Sequence, residues 1–230
     1  MRVIGVAGQM QAGKDSLADH LCYSLNKRSS VVWTRSAFAK AVKRIFMEAF
    51  DKDAAYIEKW KVISESGPDL DMSVRKGLQF IGDGFRKIKS NVWIDLMFKE
   101  PDAPRIISDC RYPNELKAIK ERGGFTILVV HPNRINYDPN GSEAEMRPYA
   151  LYALQVAKRI NYSYFEPKKY PLPKRNKFIA VLFRLFGEVQ EPEQWNNVDY
   201  VIINDNSLRD FYDRIDLHLV DVVESFFQGG

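Results

Sequence analysis

The chain alternates between short apolar runs and longer segments in which apolar residues return every three or four positions. The first run, Val3–Ala7, is followed by Leu17, Leu21 and Leu25 at helical spacing. Similar runs predict further strands at residues 31–33, 105–109, 125–130 and 198–204. Because runs that are apolar throughout are typical of a sheet covered on both faces, we predict a three-layer α/β/α fold around a five-stranded, mostly parallel sheet.

Two stretches interrupt this pattern and predict insertions into a single domain over residues 1–230. Residues 51–72 are charged and contain Gly67-Pro68, and with the helices that follow they predict a helical insertion over residues 51–100. Residues 131–197 are rich in proline, asparagine, tyrosine and basic side chains, and predict a second insertion.

The second insertion shows helical spacing around residues 143–160 and 176–186, with a strongly basic stretch between them. The basic side chains are Lys168, Lys169, Lys174, Arg175 and Lys177. A basic lid that closes over phosphates, a solvated connection and a subunit contact all fit this composition, and the sequence does not choose among them.

A glycine-bearing loop separates the first strand from the first helix, and it reads Gly8-Gln9-Met10-Gln11-Ala12-Gly13-Lys14-Asp15-Ser16. A strand that runs through such a loop into a helix directs backbone N–H groups at an anion, and a lysine at this spacing reaches the terminal phosphates of a nucleoside triphosphate. We therefore predict phosphate contacts from Gly8, Gln11, Ala12, Gly13, Lys14, Asp15 and Ser16. The usual hydroxyl residue after the lysine, which holds Mg²⁺, is replaced by Asp15.

A second chemical cluster follows the third strand. Asp109 ends that strand, where a carboxylate beside the loop would hold Mg²⁺ directly or through water. Arg111 would neutralise the charge of a transferring phosphoryl group. Pro113 suits the first turn of the next helix, and Glu115 lies early enough in that helix to reach a cleft. A purely structural ion pair between Asp109 and Arg111 is the alternative.

A continuous helix from Val74 onward would place Arg75, Gln79 and Arg86 on one stripe. Two guanidinium groups and an amide that converge on a cleft suit a monoester phosphate and a base edge. A solvated polar face fits equally well, and the glycines at 82 and 84 leave room for a bend between two helices.

Other candidate ligand contacts lie just beyond predicted strands. Phe38 and Lys40 follow the second strand and Asn204 ends the last one, at the edge of the sheet where open α/β proteins bind ligands. Phe38 fits a core position as well as a base-stacking one, and Lys40 fits solvent as well as phosphate. Trp93 lies in an apolar helical pattern that favours a core position.

Composition narrows the classes of function. The 230 residues are 45% hydrophobic and 13% aromatic, and no apolar run approaches the ~20 residues that span a bilayer. A net charge of +4 does not by itself indicate nucleic-acid binding. Cys22 and Cys110 lack metal-ligand spacing. Because the first strand begins directly after Met1-Arg2, we expect no targeting segment.

Four stretches together resemble the deoxynucleoside monophosphate kinases of tailed bacteriophages. They are the Gly-Lys-Asp-Ser start of the first helix, the segment from Arg75 to Trp93, residues 109–115, and residues 199–208. The resemblance spans most of the chain except about 51–72 and 149–197, and the aspartate after the loop lysine is a feature of that family. It implies a P-loop NTPase fold and the phosphorylation of deoxynucleoside 5′-monophosphates by ATP with Mg²⁺.

The resemblance and the positions above give each residue a predicted role. Lys14, Asp109 and Arg111 would be catalytic, Asn204 would lie on the adenine side, and Asp15, Ser16 and Asp109 would approach Mg²⁺. The acceptor would be bound, within the insertion at 51–100 and nearby, by Phe38, Lys40, Arg75, Gln79, Arg86, Trp93, Asp109, Arg111 and Glu115. Gly141-Ser142-Glu143 resembles a Ser-Glu pair that relatives carry after strand 4, with a poorer match in the residues before it.

The implied partners are small nucleotides, with no membrane partner. A homodimer is compatible with the sequence, as is a cytoplasmic location, which would be the host cytoplasm for a phage protein. Three alternatives stay open: a kinase for another phosphorylated or dephospho-coenzyme acceptor, a nucleotide-binding module without turnover, and nucleic-acid binding through residues 168–177.

Overall fold

The computed structural model describes residues 1–63, 65–135, 141–161, 163–166 and 190–229, without the side chains of residues 159 and 160. The predicted basic stretch at 168–177 and helix at 176–186 lie outside these residues. The chain divides into two compact units, Ser36–Asp102 and the remainder, Met1–Arg35 with Ala103–Gly230. The predicted insertion at 51–100 therefore falls inside a unit that begins earlier in the chain.

The described elements, in chain order, are β1 (Val3–Ala7), α1 (Lys14–Arg28), β2 (Thr34–Ser36), α2 (Ala39–Phe50), α3 (Ala54–Trp60), α4 (Val74–Ile88), α5 (Val92–Lys99), β3 (Arg105–Cys110), α6 (Pro113–Glu121), β4 (Phe125–Val130), α7 (Ser142–Ile160), β5 (Tyr164–Phe165), β6 (Tyr200–Ile203), α8 (Leu208–Arg214), a π-helical segment (Ile215–Leu219) and α9 (Val220–Gln228). Short 3-10 turns occupy Pro132–Arg134 and Trp195–Asn197.

The strands described in the larger unit form one sheet in the order β2-β3-β1-β4-β6-β5. β1 pairs in parallel with β3 and β4, and β4 pairs in parallel with β6, while β5 runs antiparallel to β6. The predicted mostly parallel α/β sheet is confirmed, with six strands rather than five. The additional strand, β5, spans two residues, which is too short to show an alternation in the sequence.

Helices cover both faces of the sheet at β1. Ile4 and Val6 point into a core that includes Leu17 and Leu21 of α1. On the opposite face α6 approaches so closely that a Cβ at Gly5 would lie 2.4 Å from Cδ1 of Ile119. The predicted three-layer arrangement is therefore present, because successive residues of a strand point to opposite faces.

The second strand begins later than its apolar run predicts, at Thr34 rather than Val31. Asn26 explains the shift, because its side chain accepts a hydrogen bond from the N–H of Trp33 (2.7 Å) and donates one to the Trp33 carbonyl (3.0 Å). The backbone N–H and carbonyl of Trp33 are thus bound to α1. Hydrogen bonding to the segment that leads into β3 begins at Thr34, whose N–H donates to the Pro104 carbonyl at 3.1 Å.

The smaller unit is helical and has a core of its own, built on Phe46, Ile57 and Val74. α4 is one continuous helix, as the polar stripe requires, and Ser73 caps it by accepting a hydrogen bond from Lys76 N–H. Gly77 permits α4 to pass the Phe46 ring, since a Cβ there would lie 2.9 Å from Cε2.

The C-terminal helices pack on α1 through the π-helical segment. Asp216 in that segment accepts a hydrogen bond from Ser24 Oγ (2.6 Å) and lies 2.9 Å from Nε2 of His20. Both partners belong to the helix that follows the glycine loop. Within the described part of the chain, no helix is long and apolar enough to cross a membrane.

Candidate active site

The glycine loop between β1 and α1 has a backbone that few side chains would tolerate. Gly8 has φ of 144°, and a Cβ there would lie 2.3 Å from the Val129 carbonyl oxygen. Gly13 has φ of 105°, and Gln11 adopts a left-handed φ of 61° although it is not glycine. Sparsely populated backbone angles of this kind cluster at ligand sites.

α1 begins at Lys14, and Gly13 precedes it as the N-cap without a side chain to cap the helix. The first N–H groups of a helix have no partner within it, and together with the helix dipole they attract an anion. α1 is fifteen residues long, and their peptide dipoles add to the positive end at this terminus. The loop therefore has the geometry of a phosphate cradle.

Lys14 is buried, and its Nζ donates a hydrogen bond of 2.6 Å to the Gln9 carbonyl within the loop. Burial, and then the positive charge of Arg111, lower the pKa of Lys14 to about 8. The negative charges of Glu143, Asp15 and Asp109 act in the opposite direction. The predicted residues Lys14, Asp15, Asp109 and Arg111 are thus close enough to influence one another.

Asn204 supports the loop from the end of β6. Its Nδ2 donates a hydrogen bond of 3.0 Å to the Ala12 carbonyl, and a Cβ on Gly13 would lie 2.7 Å from the same nitrogen. Its backbone N–H continues the β4–β6 ladder through the Val130 carbonyl at 2.7 Å. The structure gives Asn204 this bracing contact, and its role beside adenine stays a prediction.

Glu143 ties the first turn of α7 to the loop. Its Oε2 accepts a hydrogen bond of 2.7 Å from Met10 N–H, and its Oε1 lies 3.6 Å from Nη1 of Arg111. The Gln9 side chain donates to the Glu143 carbonyl at 2.9 Å. Glu143 thus joins the cluster around Lys14, which the Ser-Glu resemblance alone did not establish.

Arg111 is positioned by Glu115. Glu115 is 2% exposed, and its carboxylate accepts hydrogen bonds from the N–H groups of Arg111 (2.7 Å) and Tyr112 (3.1 Å). It thereby fixes the turn from which the Arg111 side chain extends. A direct contact between Glu115 and a substrate stays a prediction.

Asp15 contacts two residues that the sequence did not single out. Its Oδ1 accepts hydrogen bonds from Nη2 of Arg35 (2.5 Å) and from Oγ of Ser108 (3.1 Å). Arg35 also pairs with Asp19 at 2.6 Å, one turn further along α1. Ser16 follows Asp15 in the first turn of α1.

In the smaller unit, a pocket of about 440 Å³ brings together three predicted acceptor residues. Phe38, Lys40 and Trp93 all line it, beside Arg44 and Met97. Trp93 is 1% exposed, and its Nε1 donates a hydrogen bond of 3.0 Å to the Gly82 carbonyl, so its structural role as a core residue is evident. Lys40 pairs with Glu100 at 2.9 Å.

The three polar residues predicted on α4 do not line this pocket. Arg75 and Gln79 are exposed, and Nη1 of Arg86 lies 3.3 Å from Oδ1 of Asp83. They share one stripe of a continuous helix, as predicted. Their contact with a substrate stays a prediction.

No group of three or more His, Cys, Asp or Glu side chains is arranged to hold a metal ion in the part of the chain that the structure describes. Mg²⁺ does not need such a group, because it usually retains several waters and uses one or two protein carboxylates together with substrate phosphates. Asp15 fits this requirement, since its side chain is 76% exposed beside the loop.

The chain can be compared with family models, with solved structures and with curated proteins. No family model matches the chain. Two solved structures are similar at low TM-scores, which bear on neither fold nor function. A sugar kinase from Janibacter sp. HTCC2649 is 11% identical with a TM-score of 0.35, covering 98% of each chain. The shikimate kinase of Bacteroides thetaiotaomicron is 16% identical with a TM-score of 0.27, covering 80% of this chain and 95% of that one.

A curated relative is informative. A protein of Acanthamoeba polyphaga mimivirus with the name "Putative deoxynucleotide monophosphate kinase" is 30% identical over an alignment of 171 residues, and the alignment covers 66% of this chain and 86% of the relative. This level of identity over most of the relative agrees with the loop, the buried lysine and the arginine beside it. The chain therefore belongs to the deoxynucleotide monophosphate kinase family.

Proposed function

We propose that this protein transfers the terminal phosphoryl group of ATP to deoxynucleoside 5′-monophosphates, with Mg²⁺, and forms the diphosphates. The observation that carries the proposal is the phosphate cradle, with Lys14 buried inside it and Arg111 close enough to lower the Lys14 pKa. Two cations in one electrostatic cluster suit a reaction in which negative charge moves between two phosphates. Family membership supports the same activity.

The charge of each residue suggests its role in phosphoryl transfer. The N–H groups at the start of α1 and the Lys14 ammonium would bind the triphosphate, and Arg111, held by Glu115, would neutralise the migrating group. An oxygen of the monophosphate is already a nucleophile, so this chemistry requires alignment of two substrates rather than a catalytic base. Mg²⁺, when bound with ATP, would supply further neutralisation of phosphate charge.

The smaller unit would contribute acceptor contacts of its own. The pocket at Phe38, Lys40 and Trp93 is lined by apolar side chains together with the cations of Lys40 and Arg44. Lys40 and Arg44 would face an anionic, partly aromatic molecule. Arg75, Gln79 and Arg86 would add a charged stripe on α4. We propose these residues as the acceptor-binding set of this unit.

The test is an assay of ATP consumption with each deoxynucleoside monophosphate and with dephospho-coenzyme acceptors. We expect turnover with one or more deoxynucleoside monophosphates and none with the other acceptors. Turnover only with another acceptor would identify a different P-loop kinase. ATP binding without transfer to any acceptor would identify a nucleotide-binding module and contradict the proposal.

The affinity for ATP should fall in alkaline solution. ATP binds the charged form of Lys14, and burial lowers the pKa of this group to about 8 in the nucleotide-free protein. The charge is therefore complete well below that pKa and is lost as the pH rises through it. Above the pKa, the dissociation constant should rise about tenfold for each pH unit.

Calorimetric titration of ATP across this pH range measures the effect, with Lys14→Met as the matched control. The variant should bind weakly at every pH, since its side chain has no proton to lose. An affinity of the native protein that stays constant through the pKa of Lys14 would contradict a phosphate-binding role for the ammonium.

A further inference from the structure

We propose that the Glu143 carboxylate occupies, in the nucleotide-free protein, the place of the terminal phosphate of ATP, and that ATP displaces it on binding. Glu143 would act as a positioning residue, because it holds the glycine loop and Arg111 together until the nucleotide arrives. The inference rests on the proposed function, which brings a triphosphate into the cradle between Lys14 and Arg111.

The Glu143 carboxylate contacts the kinds of group that bind a phosphate. Its Oε2 accepts a hydrogen bond of 2.7 Å from Met10 N–H in the loop, and its Oε1 lies 3.6 Å from Nη1 of Arg111. Of the three carboxylates that raise the pKa of Lys14, Glu143 has the largest effect, so it also lies close to the buried ammonium. A backbone N–H, a guanidinium and an ammonium around one anion are the usual partners of a phosphate.

The terminal phosphate of ATP competes with this carboxylate. Arg111 is the residue that we assign to the migrating phosphoryl group, and Glu143 is a carboxylate partner of Arg111 in the free protein. The Glu143 side chain is 13% exposed, so water screens little of the repulsion between its charge and that of a phosphate beside it. The carboxylate therefore leaves when the phosphate binds.

Rotation of one side chain is sufficient for this displacement. Glu143 lies in the first turn of α7, and Met146 and Ala150 are buried further along the same helix. The Gln9 side chain donates a hydrogen bond of 2.9 Å to the backbone carbonyl of Glu143, which does not involve the carboxylate. The helix thus stays in place while the carboxylate moves away from Met10.

Glu143→Gln tests the displacement, because it keeps the size of the side chain and an acceptor for Met10 N–H while it removes the charge. Since a charged acceptor holds its donors about twice as strongly as a neutral one, the variant should bind ATP about 3–10-fold more tightly than the native protein in a calorimetric titration. ADP lacks the terminal phosphate, and its gain should be smaller.

A carboxylate that clamps the loop equally in the free and bound states gives the opposite result. Glu143→Gln would then bind ATP more weakly than the native protein, and this outcome would overturn the proposal. An equal gain with ADP would place the carboxylate away from the terminal phosphate and would overturn it too.

Glu145→Gln is the matched control. Glu145 lies in the same first turn of α7, and it is exposed. The control removes the same charge from the same turn, and it should bind ATP with the native affinity. A gain equal to that of Glu143→Gln would show a general effect of charge rather than occupation of the phosphate position, and would contradict the proposal.

Magnetic resonance of protein with isotope-labelled methionine gives a readout that does not depend on affinity. The chain has six methionines, so few signals surround that of the Met10 amide. Glu143→Gln should move the Met10 signal in the free protein, and the native and variant signals should coincide at saturating ATP, because a phosphate has replaced the carboxylate. A difference that persists at saturating ATP would show that the contact survives, and the displacement would be wrong.

The outcomes separate this proposal from the proposed function. The measurements with ATP need no acceptor, so a protein that shows the gain without transferring phosphate would keep the displacement and lose the proposed function. A protein that transfers phosphate but shows neither the gain nor the change at Met10 would overturn the displacement alone. A protein that does not bind ATP would overturn both.

Discussion

Replacement of Lys14 by alanine is expected to lower the rate of phosphoryl transfer by about a thousandfold, as the loss of other charge-stabilising groups does. Nζ of Lys14 lies inside the loop, 2.6 Å from the Gln9 carbonyl, and the charges of Arg111, Glu143, Asp15 and Asp109 all act on it. No other described cation is buried in the cradle in this way. Its removal would leave the charge that develops on the phosphates without its nearest partner.

Steady-state kinetics at saturating ATP measures this loss. Lys27→Ala is the matched control, because Lys27 lies in the last turn of the same helix and is exposed. The control should retain the native rate, and both variants should keep the native circular dichroism spectrum. A Lys14→Ala variant within a few-fold of the native rate would contradict the assignment of the loop to catalysis.

Replacement of Asp199 by alanine is expected to destabilise the larger unit by about 3–5 kcal/mol, as the loss of one partner from a buried ion pair does. The Asp199 side chain is 7% exposed, and both of its oxygens lie 2.7 Å from Nζ of Lys120. Its Oδ2 also accepts hydrogen bonds from N–H (2.9 Å) and Oγ1 (3.1 Å) of Thr126 on β4. The variant would leave the ammonium of Lys120, whose side chain is 19% exposed, without its carboxylate, and the Thr126 N–H without its acceptor.

Urea denaturation gives the free energy of unfolding, and Asp221→Ala is the control. Asp221 pairs with Arg28 at 2.6 Å, but its side chain is 67% exposed, so its loss should cost no more than about 1 kcal/mol. Equal losses in the two variants would show that burial does not determine the contribution of Asp199.

The sequence was most informative where the geometry is local. β1, the loop and α1 are contiguous, so their apolar spacing and two glycines predicted a strand, a glycine loop and a helix in this order, and the structure has them. The phosphate contacts of the individual loop residues stay a prediction. For α4 the sequence allowed either one continuous helix or a bend at Gly82 and Gly84, and the structure has the continuous helix. Pro113 lies in the first turn of α6, as predicted. Local structure of this kind depends on residues that are close in the sequence, so its prediction requires no knowledge of tertiary contacts.

The parts that escaped prediction depend on residues far apart in the chain. Arg35 and Ser108 meet Asp15 across 20 and 93 positions, and Glu143 reaches Met10 across 133. No spacing rule connects such pairs. The later start of β2 has a similar cause, because the Asn26 side chain on α1 forms hydrogen bonds with the backbone N–H and carbonyl of Trp33. For Ser108, a polar residue near the carboxyl end of a parallel strand was an available signal.

The π-helical segment at Ile215–Leu219 determines how the C-terminal region responds to changes in chain length. A π turn contains about one more residue than an α turn, so it absorbs an extra residue within a helix. Deletion of one residue there would restore a regular α-helix and keep Val220 and Val223 in the core that they share with α1. Insertion of a further residue would instead rotate these side chains by about 100° about the helix axis, since an α-helix has 3.6 residues per turn. A one-residue insertion at this turn should therefore destabilise the protein more than a one-residue deletion.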